Sequence, residues 1–593
     1  MLLLLVFILL QLEQLLIAAK TVKLRNGCYK GYLSKQFPNV YEFLGIPFAK
    51  PPVGRRRFRP PEPFDDYGMR RNRCFDAKIP ANTCYFTRKY YGFPGQDEWE
   101  SLGLSMSEDC LQLNMWVPKK PKGDVIVHIP GISYRSGSPS LPHFDGSVLA
   151  AHTSSIVVNI NYRFGAFGFA YLGRKHRVPG NMGLLDQQMA LKWIHKNIEA
   201  FGGNKTMITL VGHYTGGSSA TAHLFSDGSR QYFRRVVALS GTIAHDWAYE
   251  KNKRVVCHNS RKLMRRLGCH RRSSRRQIKC MQRKPPHLIA LEADRIYNLD
   301  QSILKYGFLP IDNDRLFFKG SIEEKLKNND FKRDVDLVVG GISNEGSKSM
   351  VQYLDKSKYG CYFDHRKPIN SSYNKCLIND KQYDNIVKLV GRDIPIKKEG
   401  FDKLKDIYSN ITVHNNRDRV ARMISDVAFY CDYIKFGKLL NERIYGKTYF
   451  YNIAKRISNN PWPKWMGPVH GYDLLYFFGH PYKEPSAYDK ELLRDEEILS
   501  TQFMFTLSKF SKEGTMFKSW PQFETNSTLG VFIDGAIKKG STFKSGNVSI
   551  KQCYDLFLLI KQYKAEKSSR LASDFLQSRS DEFFKDRFEI TFN

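Results

Sequence analysis

Short apolar runs recur along this chain, separated by polar turns and by one long stretch of helical periodicity. Leu111–Val117, Val125–Ile129, Ile156–Tyr162 and Met207–Val211 are such runs, and each predicts a strand. Asn181–Ile198 carries its apolar residues at helical spacing and predicts a helix. Residues 21–60 open strand-like and pass into Tyr41–Gly54, where glycine and proline fix a tight path. Strands alternating with helices predict an α/β fold, a large, mostly parallel central sheet flanked by helices on both faces.

One stretch concentrates candidate chemistry. Met207–Val211 leads directly into Gly212-His213-Tyr214-Thr215-Gly216-Gly217 and then into small residues, Ser218 to Ala222. That is strand, tight turn and helix, the setting of the G-x-S-x-G nucleophile elbow of α/β-hydrolases. The glycines permit a strained turn that lifts the central side chain above the sheet. Here the central residue is Tyr214, not serine.

Composition extends this picture. The chain has 593 residues, 42% of them hydrophobic, which suffices for one large α/β unit or for several domains. The Met1–Leu10 apolar run, followed by Ala18-Ala19 before Lys20, reads as a cleaved signal peptide over residues 1–19, although no basic residue precedes it. An uncleaved anchor is the alternative, weakened by Gln11, Glu13 and Gln14. No later stretch is long and apolar enough to predict a transmembrane segment. Residues 20–560 are expected to form the domain and 561–593 a C-terminal tail.

Eleven cysteines fit an oxidising compartment, and the odd count leaves at least one outside the intrachain pairs. Five N-x-S/T sequons, at Asn204, Asn370, Asn410, Asn526 and Asn547, agree with a secreted glycoprotein. No metal-ligand motif and no cofactor motif is expected.

The net charge is +34. Lys and Arg cluster at Arg55-Arg56-Arg57-Phe58-Arg59, at Arg70-Arg71-Asn72-Arg73, and over Lys251–Lys284, which holds fourteen of them and no acid. For a secreted protein this argues against nucleic acid and for a polyanion: a heparan-type glycan, an anionic membrane surface or an acidic protein surface. A solvated, compositionally biased surface is the plain alternative.

Several longer stretches then resemble the cholinesterase/type-B carboxylesterase family. They include Phe43–Ala49, Ser107-Glu108-Asp109-Cys110, Asn161–Phe169, Pro179–Gln187, Asn344-Glu345-Gly346-Ser347 and Trp462–Tyr472, in family order. The resemblance is closest to acetylcholinesterase-like members. It implies disulfides Cys84–Cys110, Cys269–Cys280 and Cys431–Cys553. Cys361 and Cys376 flank an inserted loop and could form a fourth, while the pairing of Cys28, Cys74 and Cys257 stays open.

By the same resemblance Glu345 and His470 stand at the acid and base positions of a catalytic triad, and Tyr214 at the nucleophile. Ile132 and Ser133 replace glycines of the oxyanion loop, where Thr215 supplies a further donor position. A β-branched Ile132 is expected to make that backbone path costly. His213 replaces an acid beside the nucleophile. Trp99, Trp247 and Trp465 match aromatic positions of the choline site, whose physical use is cation–π contact. Core packing is the alternative role of these tryptophans. Leu304 and Lys348 stand where the family has aromatics, and Lys348 would repel a cation.

The expectation is therefore a secreted, cholinesterase-like protein that binds rather than hydrolyses, docking a polyanion through residues 251–284. A weak or altered carboxylic ester hydrolase and a protein that sequesters small ligands are the alternatives. The resemblance also implies a homodimer through a contact near the C-terminus.

Overall fold

The computed structural model describes residues 19–25, 27–64, 74–173, 178–296, 306–409, 411–413, 415–524, 526–535 and 543–576, with side chains as far as 563. The apolar run 1–18 expected as a signal peptide, Asn410, Leu304, Arg70–Arg73 and the residues from 577 lie outside them.

Among the described residues thirteen strands form the main sheet. In chain order they are β1 (Ala19–Leu24), β2 (Gly27–Leu33), β3 (Val40–Pro47), β4 (Phe75–Asp76), β5 (Gln112–Pro118), β6 (Val125–Ile129), β7 (Ile156–Ile160), β8 (Ile208–His213), β9 (Arg235–Leu239), β10 (Asp336–Ile342), β11 (Thr448–Ile453), β12 (Leu529–Ile533) and β13 (Lys544–Asn547). Tyr171–Gly173 and Val178–Pro179 pair apart from it as a short ribbon.

From β7 through β6, β8, β9, β10 and β11 to β12 every neighbour is parallel. The N-terminal strands and β13 add antiparallel edges. Every residue of β6, β7, β8, β9, β10 and β11 is buried. Strands covered on both faces have no reason to alternate, which is why they are written as continuous apolar runs. The edge strand β1 instead shows one buried residue, Val22.

The sequence places Met207–Val211 as a strand; the structure carries it on through Gly212 and His213, which pair with Ala238 and Leu239. The expected helix appears as Met182–Asn197. The terminal helix Lys551–Leu576 crosses the domain boundary drawn at 560. Cys553 near its start is bonded to Cys431, and Leu556, Leu559 and Tyr563 are buried against the body.

Five disulfides form: Cys28–Cys74, Cys84–Cys110, Cys269–Cys280, Cys361–Cys376 and Cys431–Cys553. Cys257 is left free. No described helix is long and apolar enough to cross a membrane.

Candidate functional site

The carboxyl ends of the parallel strands converge on one cavity, the usual place for a site in an open α/β sheet. β8 delivers the elbow. Tyr214 sits there at φ 54° and ψ −117°, between the strand and the helix Thr215–Ala222. A bulky residue with positive φ is strained and persists only where its surroundings fix it. Those surroundings are backbone. A Cβ at Gly216 would lie 2.0 Å from the Ile129 carbonyl oxygen, and one at Gly212 would lie 2.2 Å from the Gly216 backbone. Both glycines are required by close approach.

The Tyr214 ring is half-buried and held on three sides. Its centroid lies 4.5 Å from Trp247, 4.8 Å from His470 in an edge-on arrangement, and 6.0 Å from Phe429. Its hydroxyl is hydrogen-bonded to that of Tyr306.

β10 delivers the acid. Glu345 follows the strand by one turn and is fully enclosed; its Oε1 accepts from the Tyr433 hydroxyl at 2.8 Å and from the Ile342 N–H at 3.1 Å. Its Oε2 lies 2.5 Å from Nδ1 of His470. Burial pushes the Glu345 carboxyl up to about 7 and drives the His470 imidazole down to about 3. The imidazole is therefore neutral at pH 7. With Nδ1–H donated to Glu345, Nε2 presents a lone pair, and it makes no hydrogen bond to a described residue. Carboxyl and imidazole thus meet in the arrangement that a general-base pair needs, with a phenol beside them instead of a serine hydroxyl.

The loop that the resemblance matches to an oxyanion loop follows β6. Its left-handed residues are Ser133 (φ 56°) and Tyr134 (φ 53°), so the strained conformation falls on these two and not on Ile132. Ile132 instead makes a local turn, its N–H donated to the Ser136 carbonyl at 3.1 Å. The Thr215 side chain is buried and its Oγ1 accepts the Tyr134 N–H at 3.2 Å, facing this loop and not the cavity.

The cavity measures about 120 Å³, and its lining includes Trp99, Ile132, Ser133, His213, Tyr214, Lys348 and His470. Of the three tryptophans matched to the choline site, only Trp99 reaches it. Trp247 lies behind Tyr214, fully buried, with its indole N–H on the Ala428 carbonyl at 2.7 Å. Trp465 turns to the Cys361–Cys376 loop, donating to the Asn374 carbonyl at 2.8 Å, with Arg417 over its ring at 5.1 Å. Over the Trp99 ring, 5.2 Å from its centroid, stands the chain's own ammonium, Lys348 Nζ.

Beside Glu345 and His470 lies a second buried pair, of which the residue pattern singles out only His213. Nε2 of His213 is 3.6 Å from Oδ1 of Asp473, whose side chain is fully enclosed. The signal was adjacency: Asp473 closes the same His470-Gly471-Tyr472 segment. Burial pushes Asp473 up to about 8, helped by the Glu345 charge, and drives His213 well below the usual histidine range.

Because the folded pKa of Asp473 is raised, its contribution to stability is full below about pH 4 and is lost as pH rises through about 8. The melting temperature of Asp473→Asn should therefore gain on that of the wild type as pH rises from 4 to 8. A gap that stays flat would mean that the pair is ionised in the folded state.

No group of three or more His, Cys, Asp or Glu among the described residues is arranged to hold a metal ion.

A strained elbow at the end of a parallel strand, with acid and histidine supplied by later strand ends, defines an α/β-hydrolase-fold protein. Residues 18–547 match the carboxylesterase family. Acetylcholinesterase 4 of Caenorhabditis briggsae is 34% identical over 531 residues, covering 84% of this chain and 82% of the relative. The cholinesterase of Mus musculus is 34% identical over 484 residues (80% and 75%), and the acetylcholinesterase of Danio rerio 31% identical over 548 (84% and 81%). This chain belongs to the carboxylesterase family.

Proposed function

We propose that this chain is a secreted, non-hydrolysing member of the family that acts by binding a polyanion. The observation that carries the loss of hydrolysis is the Tyr214 ring, seated between Trp247, Phe429 and His470 where a serine oxygen would act. A phenol titrates near pH 10 and is a poor nucleophile at an acyl carbon. The Ile132 N–H, spent on Ser136, leaves the oxyanion loop short of a donor.

The binding surface is built from the helices Lys253–Arg266 and Ser274–Arg283, joined by Cys269–Cys280. Arg261, Lys262, Arg265, Arg275, Arg276 and Lys279 are exposed on them, and Arg271 and Arg272 on the loop between them. The fold sets the exposed Arg55 and half-buried Arg56 beside this face, with Arg57 buried beneath on Glu108. The Gln282 amide donates to the Arg55 and Arg57 carbonyls, and buried Arg57 donates to the carbonyls of Met281, Gln282 and Lys284. Two basic runs distant in sequence thus make one surface, the footprint a sulfated glycan needs. Five disulfides and exposed Asn204, Asn370, Asn526 and Asn547 support the extracellular setting.

Heparin chromatography tests the surface. The wild type should elute at markedly higher salt than a variant with Arg271, Arg272, Arg275 and Arg276 changed to Ser. A control lacking the exposed Lys381, Lys388, Arg392 and Lys398 should elute with the wild type. Equal losses in both variants would reduce the effect to net charge and remove the proposed site.

The intact Glu345–His470 pair favours a second reading, a weak carboxylic ester hydrolase. Turnover of a small activated ester by the purified chain, abolished by His470→Ala, would put this reading in place of the first.

A further inference from the structure

Lys348 is a half-buried cation on the cavity wall, within the field of Glu98 and Glu100 but hydrogen-bonded to neither. Its ammonium lines the cavity and stands over Trp99, yet it makes no hydrogen bond or salt bridge to a described residue. The charged and titratable groups around it are already engaged. Glu98 accepts from the Trp99 indole N–H at 3.0 Å and from the Tyr472 hydroxyl, and lies 3.5 Å from His143. Glu100 accepts the Lys89 N–H at 3.1 Å, with Arg135 also acting on it. His213 and His470 face the cavity as neutral rings. Burial of a cation is costly and lowers its pKa; it brings that of Lys348 down to about 8, against the opposing pull of Glu98 and Glu100.

The same ammonium changes what the tryptophan can do. A ring face already covered by one cation at 5.2 Å cannot take a second without bringing like charges together. The seat that would hold a quaternary amine is filled from within.

We propose that this cavity is a binding site for a small organic carboxylate, with the carboxylate on Lys348 Nζ and the apolar body against the rings of Trp99, Tyr214 and Phe429. A volume of about 120 Å³ selects a small acid, since sites for drug-sized ligands run to roughly 300–1,000 Å³. The inference goes beyond the polyanion surface and does not depend on loss of hydrolysis, because the ligand has no bond to cleave.

Benzoate and tetramethylammonium are the two probes. In calorimetry at pH 7, benzoate should bind the wild type at one site and bind Lys348→Met at least tenfold more weakly. Tetramethylammonium should bind only the variant. Equal benzoate affinity in both proteins, or benzoate uptake at many sites that the variant leaves unchanged, would assign the binding to the basic surface and overturn the proposal. A second measurement needs no variant. Benzoate should raise the melting temperature of the wild type above that in chloride of equal ionic strength, whereas tetramethylammonium should not. The reverse order would overturn the proposal even if Lys348→Met failed to fold.

Discussion

Changing Tyr214 to serine should raise the hydrolysis of a small activated ester about 1,000-fold over the wild type. In serine hydrolases, loss of the nucleophile costs on the order of a million-fold in kcat. Most of the remaining machinery stands ready here: Glu345 lies 2.5 Å from His470, and Nε2 of His470 makes no hydrogen bond to a described residue. The turn already holds residue 214 at φ 54° and ψ −117°. What limits recovery is the oxyanion loop, because the Ile132 N–H is donated to Ser136. Adding Ile132→Gly and Ser133→Gly should bring roughly a further 100-fold, the scale of one oxyanion donor. Turnover and covalent labelling by a fluorophosphonate are the measurements. A folded Tyr214→Ser protein that is neither active nor labelled would show that the Glu345–His470 pair is out of productive register.

Removing Cys431–Cys553 should be the most damaging loss of a disulfide outside the N-terminal region. The bond spans 122 residues, whereas Cys269–Cys280 spans 11. On the chain-entropy account these loops correspond to about 5 and about 3 kcal/mol. The longer bond also fixes the helix Lys551–Leu576, through Cys553, to the helix Cys431–Asn441. The Cys431→Ala/Cys553→Ala protein should melt lower than Cys269→Ala/Cys280→Ala, and the terminal helix should lose protection in hydrogen exchange first. The opposite order of melting temperatures would mean that packing of Leu556, Leu559 and Tyr563, and not the covalent link, holds this helix.

The parallel core was legible because its strands are covered on both faces, so runs such as Val125–Ile129 and Ile156–Ile160 needed no alternation to be found. The elbow was legible because close backbone approach at Gly212 and Gly216 admits no side chain, which leaves a fixed pattern in the sequence. Two features around the cavity differ from what the sequence suggests. The left-handed turns of the oxyanion loop fall on Ser133 and Tyr134, which tolerate them at a cost, while Ile132 keeps an ordinary conformation and loses its N–H to a local turn. Trp465 and Trp247, matched to the choline site, turn their indole N–H groups to the carbonyls of Asn374 and Ala428 and do not line the cavity.

By itself the sequence determined the sheet, the strained turn and the identity of the residue standing in it. These follow from local rules: burial on two faces, and space for no Cβ. Tertiary structure alone decided what that residue touches. It set the Tyr214 ring against Trp247, Phe429 and His470, brought His213 to Asp473, placed Lys348 over Trp99, and joined Arg55–Arg57 to the basic helices. Each is a contact between side chains or segments far apart along the chain. Its partner is chosen by which strand ends and loops the sheet brings together, and no local spacing encodes that choice.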